Sequence, residues 1–214
     1  MHSFDIQVVK PQREVRACAS RYIGETNNGA GLHNMAFWII DRAIEEARTG
    51  GERNIFITIH EDNSVAVRHY GHIVVNSFLQ EEGTLAVEAT LTQFCAGVKQ
   101  PLFVVNVLSQ KLDIEIHYAG RVYRQSYENG EPKTPLMLSA CGEKTGTMIR
   151  FWPAREIFTH VVDFDFATLA TRLHESSRLN PDVALFLQDR RVGKEAHFCG
   201  ISNNALPLAK SLSH

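Results

Sequence analysis

The stretch Leu32–Ala47 reads LHNMAFWIIDRAIEEA, and it decides the fold that we predict for the rest of the chain. Ile40 and Ile44 recur at the spacing of one helix face, which is typical of an amphipathic helix that buries one side. Small side chains mark one flank of this helix, at Ala36, Ala43 and Ala47. We therefore expect a long helix with a sheet packed against that flank.

A second stripe on the same helix carries polar chemistry. Trp38, Arg42 and Glu46 lie four residues apart, so their side chains share one side of the helix. An arginine beside a large aromatic ring, where a sheet and loops meet, would shape a pocket. The simpler interpretation is an ordinary amphipathic helix with an exposed Arg42–Glu46 ion pair of little energetic value, and spacing alone favours it.

The composition is that of an ordinary folded protein. Of the 214 residues, 44% are hydrophobic and 21% are charged, and the formal net charge is −2. This balance gives no general attraction to nucleic acid or to a membrane, and we expect neither as a partner. No apolar run is long enough for a membrane span or a signal peptide. The cysteines are scattered without a CxxC pair, which favours a reducing compartment, and we expect a cytoplasmic protein.

Alternating apolar residues after the helix predict strands that pair as hairpins. Ile55, Ile57 and Ile59 share one face of a strand over 54–60, and a turn at Asp62-Asn63 leads into a second strand over 64–68. The other predicted elements are helices over 84–95, 101–111 and 166–179, hairpins joining 112–118 to 121–127 and 136–139 to 147–152, and strands over 184–188 and 195–199. Hairpins with segregated helices predict an α+β fold, a two-layer sandwich in one domain.

Six segments, in order along the chain, resemble one known protein family. They are YIGETNNGAGLHNMAFWIIDRAIEEA, IHEDNSVAV, NVLSQKLDIEI, YRQSYENG, EKTGTMIRFWP and LQDRRVGKEAHF. Together they resemble the gyrase B-type N-terminal ATPase domain, of the GHKL superfamily, over nearly the whole chain. The resemblance implies a GHKL (Bergerat-like) fold, with a mixed, mostly antiparallel sheet and helices on one face.

The same resemblance suggests how the chain is divided. The GHKL-like domain would cover residues 21–200, preceded by an N-terminal arm over 1–20 and followed by a flexible tail over 201–214. In that family the arm reaches across to a second protomer, so a homodimer is a candidate assembly for this chain.

The positions that carry the family's chemistry hold different residues here. An ATPase of this type needs a carboxylate to activate water, an amide to hold magnesium and a carboxylate to read adenine. The resemblance places Trp38, Arg42 and His69 at those three positions. Tryptophan accepts no proton and arginine repels a cation. The segment 98–103 also lacks the glycines that would cradle phosphate. The apolar pattern is intact, so the resemblance implies a stand-alone pseudo-ATPase whose fold was kept and whose site was changed.

Arg124 matches a family arginine at the mouth of the pocket, Thr147 matches the hydroxyl that supports binding of the nucleobase, and Glu46 also matches. The resemblance then predicts a former nucleotide pocket lined by Trp38, Arg42, Glu46, His69, Tyr70, His72, Arg124 and Thr147. This lining suits a small planar or anionic molecule better than a magnesium nucleotide. We expect no cofactor and no metal, because His69 and His72 have no evident third ligand.

Two roles for these residues follow as hypotheses. Trp38, Arg42, Glu46, Arg124 and Thr147 would bind the ligand, with the two arginines holding a carboxylate or enolate. The candidates for acid–base work are His69, Tyr70 and His72, since histidine exchanges protons most readily near neutral pH.

Function remains open between two classes. The first is a repurposed pocket that binds a small anionic or aromatic molecule, or transforms it by metal-independent acid–base chemistry, in a specialised biosynthetic pathway. The second is an interaction or self-protection protein that pairs with gyrase B or sequesters a gyrase inhibitor. His69 in place of the base-reading aspartate weakens the second class, because aminocoumarin-type inhibitors use that aspartate.

Overall fold

The structure, a computed structural model, describes residues 10–49, 52–70, 88, 90–93, 100–140 and 145–200. The helices with described bounds are α1 (Pro11–Ala17), α2 (Ala19–Ile23), α3 (Ala30–Thr49), α4 (Pro101–Val107) and α5 (Phe166–Leu179). The strands are β1 (Asn54–Ile59), β2 (Val65–His69), β3 (Ser109–Tyr118), β4 (Arg121–Glu128), β5 (Glu131–Pro132), β6 (Met137–Ala140), β7 (Gly146–Pro153), β8 (Ala184–Asp189) and β9 (Lys194–Cys199). No helix in this part of the chain is long and apolar enough to cross a membrane.

One nine-stranded sheet runs through the described part of the molecule. Its order is β5-β4-β3-β7-β2-β1-β8-β9, and β6 pairs with β4. All neighbouring strands are antiparallel except β1 and β8, which are parallel. The predicted α+β sandwich with a mixed, mostly antiparallel sheet is therefore confirmed.

The helix that begins at Ala30 covers the centre of this sheet. Its small flank is fully buried, with Ala36 and Ala47 at 0% exposure and Ala43 at 3%. α3 contacts β1 and β2, while α5 contacts β8 and β9. Ile57 of β1 and Leu187 of β8 are register partners and both are buried, so the two helices cover the same face of the sheet.

Two predicted elements differ from the structure. The helix predicted over 101–111 ends at Val107, and strand β3 begins at Ser109, whose hydroxyl donates to the Val105 carbonyl. The hairpin predicted between 136–139 and 147–152 is wrong, because β6 pairs with β4. Both edges of β7 are taken by β2 and β3, so the free edge of β4 is what remains for β6. Most of the helix predicted over 84–95 lies outside the described residues.

The N-terminal residues that the structure describes pack on their own domain. Val15 of α1 is 1% exposed, and the Arg16 guanidinium donates to the Val107 carbonyl and to Glu156. Residues 10–20 of the predicted arm therefore lie against this domain, since α1 carries both an apolar anchor and a hydrogen-bonding arginine. Residues 1–9 and the predicted tail over 201–214 lie outside the described residues.

Candidate functional site

A mostly apolar cavity lies between α3 and the strands β2, β3 and β7. Its volume is about 60 Å³. The lining residues are Ile39, Arg42, Ala43, Glu46, Val67, His69, Thr90, Leu91, Leu102, Ile114, Ile116, Thr147 and Ile149. Eight of these thirteen side chains are aliphatic, so any ligand meets hydrocarbon over most of its surface.

The polar side of the cavity is built around the carboxylate of Glu46. Its Oε1 lies 2.5 Å from Arg42 Nε, one helical turn earlier on α3. Its Oε2 lies 2.9 Å from Nε2 of His69, the last residue of β2. Glu46 and His69 are 5% and 3% exposed, so this contact is shielded from water. The Arg42–Glu46 pair that spacing predicts to be exposed therefore has a third member, and only Arg42 of the three remains partly exposed, at 33%.

The charge state of Glu46 follows from its neighbours. Burial alone would raise the pKa of Glu46, but the hydrogen bond from His69 and the positive charge of Arg42 outweigh burial and hold that pKa below its usual value. The carboxylate is thus ionised at neutral pH and can only accept hydrogen bonds. It follows that His69 donates its Nε2–H to Glu46.

Two buried polar atoms beside this cluster have no hydrogen-bond partner among the described residues. They are His69 Nδ1 and Thr147 Oγ1. The two residues are direct partners across the β2–β7 ladder, and both line the cavity. Gly146 permits this close pairing: it has φ +148°, and a Cβ there would lie 2.3 Å from the His69 carbonyl oxygen. The cavity therefore presents two adjacent polar atoms that a ligand could pair.

The other predicted site residues do not line this cavity. Trp38 is partly buried and packs against the hydrophobic core. Tyr70 packs edge-on against Phe56 on the opposite face of the sheet, with ring centroids 6.0 Å apart. Arg124 is exposed, and its Nε donates to Glu115 at 2.7 Å. His72 lies outside the described residues.

Of the predicted site residues, the structure thus brings four together: Arg42, Glu46, His69 and Thr147. Sequence reasoning missed the aliphatic walls, of which Ile114 and Ile116 of β3 are examples. The alternation in that strand already indicated that these side chains face inward. Within the described ranges, no group of three or more His, Cys, Asp or Glu side chains could hold a metal ion.

Comparison with known proteins relates most of this chain to bacterial-type topoisomerases. No family model matches it. The chloroplastic/mitochondrial DNA gyrase B protein of rice is 34% identical over 203 residues, covering 86% of this chain and 28% of that protein. The DNA gyrase B protein of Thermotoga maritima is 34% identical over 207 residues, covering 90% of this chain and 32% of that protein. The type 2 topoisomerase B protein of Aquifex aeolicus is 35% identical over 203 residues, covering 88% and 25% respectively. The chain spans about a quarter to a third of the length of these relatives.

Proposed function

Since this chain is a gyrase B-type N-terminal domain, we propose that it is a pseudo-ATPase whose cavity binds a small molecule in place of magnesium-bound ATP. The observation that carries the proposal is the cluster of Arg42, Glu46 and His69. The resemblance assigns Arg42 to the magnesium-holding position and His69 to the adenine-reading position. Both side chains are engaged with Glu46.

The charge of Arg42 opposes metal binding. A guanidinium keeps its proton and offers no lone pair to a cation, and magnesium requires oxygen ligands. Arg42 is also held at 2.5 Å by Glu46, so the same contact occupies the carboxylate. A magnesium nucleotide would have to break this ion pair, whose carboxylate is buried, before either residue could contact it.

The size of the cavity supports a small ligand. A cavity needs roughly 10–15 Å³ for each water-sized group, and this one measures about 60 Å³. A closed cavity that holds benzene measures roughly 150 Å³, so a single ring would fill this space and extend through its open side.

The contacts of the arginines favour an uncharged ligand over an anion. Arg42 is paired with Glu46 and Arg124 with Glu115, and Arg124 does not line the cavity. A ligand carboxylate would have to compete with a protein carboxylate for Arg42, inside aliphatic walls. The anion-holding role predicted for the two arginines therefore loses its support, and an apolar molecule suits the lining better.

Inorganic phosphate release at millimolar magnesium ATP is the direct assay of this proposal. We expect no release above a protein-free control. Release by the wild-type protein that falls at least tenfold in a Glu46→Gln variant, at a temperature where circular dichroism shows that variant to be folded, would assign hydrolysis to this cavity and contradict the proposal. Release that is equal in both proteins would come from a contaminating ATPase.

Acid–base chemistry on the ligand is a second candidate, favoured by the Glu46–His69 contact. A carboxylate that accepts Nε2–H orients the imidazole and leaves Nδ1 able to take a proton. For a molecule that the cavity takes, we would compare His69→Gln with Tyr70→Phe, which lies on the opposite face of the sheet. Catalysis requires the His69 variant to bind normally and turn over about 100-fold slower, with the Tyr70 variant unchanged. Parallel loss of binding and turnover would leave only a binding role.

A further inference from the structure

The unpaired atoms of the cavity determine what kind of ligand it can hold. His69 Nδ1 and Thr147 Oγ1 are buried without a partner among the described residues, and the two residues are 3% and 8% exposed. A buried polar group without a hydrogen bond costs free energy. A ligand that pairs both atoms would remove that cost, so its polar edge must complement them.

The hydrogen-bond polarity of His69 follows from its contact with Glu46. The ionised carboxylate can only accept, so the proton of a neutral imidazole resides on Nε2 and Nδ1 is an acceptor. The positive Arg42 and the negative Glu46 already cancel. No other charged side chain of the described residues lines the cavity.

The Thr147 hydroxyl is the second group that could form a hydrogen bond with the ligand. It lies directly opposite His69 on β7, so the two side chains are neighbours on one face of the sheet. A threonine hydroxyl can donate or accept. A ligand hydroxyl that donates to His69 Nδ1 can therefore also accept a hydrogen bond from Thr147, whereas a ligand N–H would donate to His69 and leave Thr147 to a neighbouring acceptor of the ligand.

We propose that the cavity selects an uncharged, single-ring molecule with a hydroxyl or N–H group, which donates to His69 Nδ1 and contacts the Thr147 hydroxyl. This inference rests on the function proposed above and specifies its ligand class. The aliphatic walls, such as Ile114 and Ile149, provide the surface for the ring. The same walls disfavour a charged ligand, because its charge would lose water without gaining a free counter-ion from the residues that the structure describes.

The first experiment measures the tautomer of His69 by long-range proton–nitrogen correlation in the uniformly nitrogen-15-labelled chain at about pH 7.5, above the ordinary histidine pKa. A His69→Gln variant assigns the signal. We expect the pattern of a neutral imidazole protonated at Nε2. A proton on Nδ1, in either the neutral or the doubly protonated ring, would overturn the proposal.

The second experiment titrates the chain with three probes of equal ring size: phenol, toluene and benzoate. Phenol carries the donor, toluene lacks it, and benzoate carries a charge. A buried hydrogen bond contributes about a tenfold change in affinity, so we expect phenol to bind at least tenfold more tightly than either of the others. Equal binding of phenol and toluene, or tighter binding of benzoate, would overturn the proposal.

Two matched variants locate the phenol in the cavity. Thr147→Val keeps the side-chain shape and removes the hydroxyl, so we expect phenol affinity to fall about fivefold and toluene affinity to stay unchanged. Thr58→Val makes the same change on the opposite face of the sheet, and should alter neither. Equal effects of the two variants on phenol would contradict the assignment.

Failure of this inference is distinguishable from failure of the proposed function. If neither a magnesium ATP analogue nor any of the three probes binds, the proposed ligand class is wrong while the loss of nucleotide binding stands. If the ATP analogue binds with saturation, the proposed function itself is wrong.

Discussion

His69 Nε2 lies 2.9 Å from Glu46 Oε2 at the polar side of the cavity. Glu46 lies in the last turn of the long central helix α3, and His69 ends a central strand of the sheet. The contact therefore joins the two layers of the sandwich. Arg42 completes the cluster, because its positive charge balances the negative charge of the Glu46 carboxylate on the polar side of the cavity.

Replacing Glu46 should destabilise the fold. Glu46→Gln removes the charge that compensates Arg42 and weakens the hydrogen bond from His69, because a neutral amide oxygen replaces the carboxylate. Arg42 is 33% exposed, so we expect a loss of about 2–3 kcal/mol, at or below the cost of breaking a fully buried pair. The measurement is the free energy of unfolding in urea. Glu45→Gln is the matched control, because Glu45 is exposed on the same helix and should change stability by less than about 0.5 kcal/mol. Equal losses in the two variants would show that the cluster contributes nothing specific.

The contribution of Glu46 should depend on pH in a defined direction. Its folded pKa is held below its usual value, so its stabilisation is present above the unfolded pKa of about 4.3 and is lost as pH falls through the folded pKa. The stability difference between wild type and Glu46→Gln should thus be largest near about pH 6–7 and shrink below about pH 4. Other carboxyls with lowered pKa, namely Asp62, Glu115, Asp165 and Asp189, cancel in this difference. A difference that grows on acidification would refute the assignment.

Gly146 should tolerate alanine poorly. A Cβ there would lie 2.3 Å from the His69 carbonyl oxygen, at φ +148°, so β7 would have to move away from β2. We expect Gly146→Ala to cost about 2–3 kcal/mol of unfolding free energy. Gly120→Ala is the control, since Gly120 also has positive φ but nothing within 4 Å of its Cβ position, and should cost about 1 kcal/mol. Similar losses would mean that backbone strain alone, and not the close approach to His69, sets the cost.

Asp62 should stabilise the turn between β1 and β2. Its carboxylate accepts from Trp152 Nε1 at 2.9 Å, from Arg150 at 2.8 Å and from the Ser64 hydroxyl at 2.7 Å. Because Asp62 is partly exposed, we expect Asp62→Ala to cost about 1–2 kcal/mol. Its exposed neighbour provides the control, with Glu61→Ala expected within about 0.5 kcal/mol of wild type. Thermal unfolding followed by circular dichroism measures both variants, and equal unfolding midpoints would contradict a stabilising role of these hydrogen bonds.

Local periodicity predicted much of the fold, because it reports which face of an element is buried. The apolar spacing of α3 and the alternation of β1 each correspond to an element in the structure. Pairing between distant strands is harder to predict from the sequence. Adjacency along the chain favours a hairpin of β6 with β7, and no local pattern indicates β4 as the partner. The hairpin of β6 with β7 is excluded because β2 and β3 occupy the two edges of β7, which depends on the arrangement of the whole sheet.

Some contacts of the candidate site follow from local spacing, and others depend on the whole fold. Arg42 and Glu46 were grouped by helical spacing, but their burial with His69 depends on β2 lying under α3. The Arg124–Glu115 contact was predictable, because the hairpin turn at 119–120 places these two residues directly opposite each other. The strand register of this hairpin therefore predicts an ion pair between Glu115 and Arg124.

Calorimetric titration with magnesium and a non-hydrolysable ATP analogue tests the central claim most directly. The claim is that the Arg42–Glu46–His69 cluster leaves this gyrase B-type domain without a magnesium nucleotide site. We predict no saturable heat up to millimolar analogue, with an unrelated magnesium-ATP-binding protein as the positive control in the same buffer. Saturable binding near one analogue per chain, with a dissociation constant on the order of micromolar, would contradict the claim.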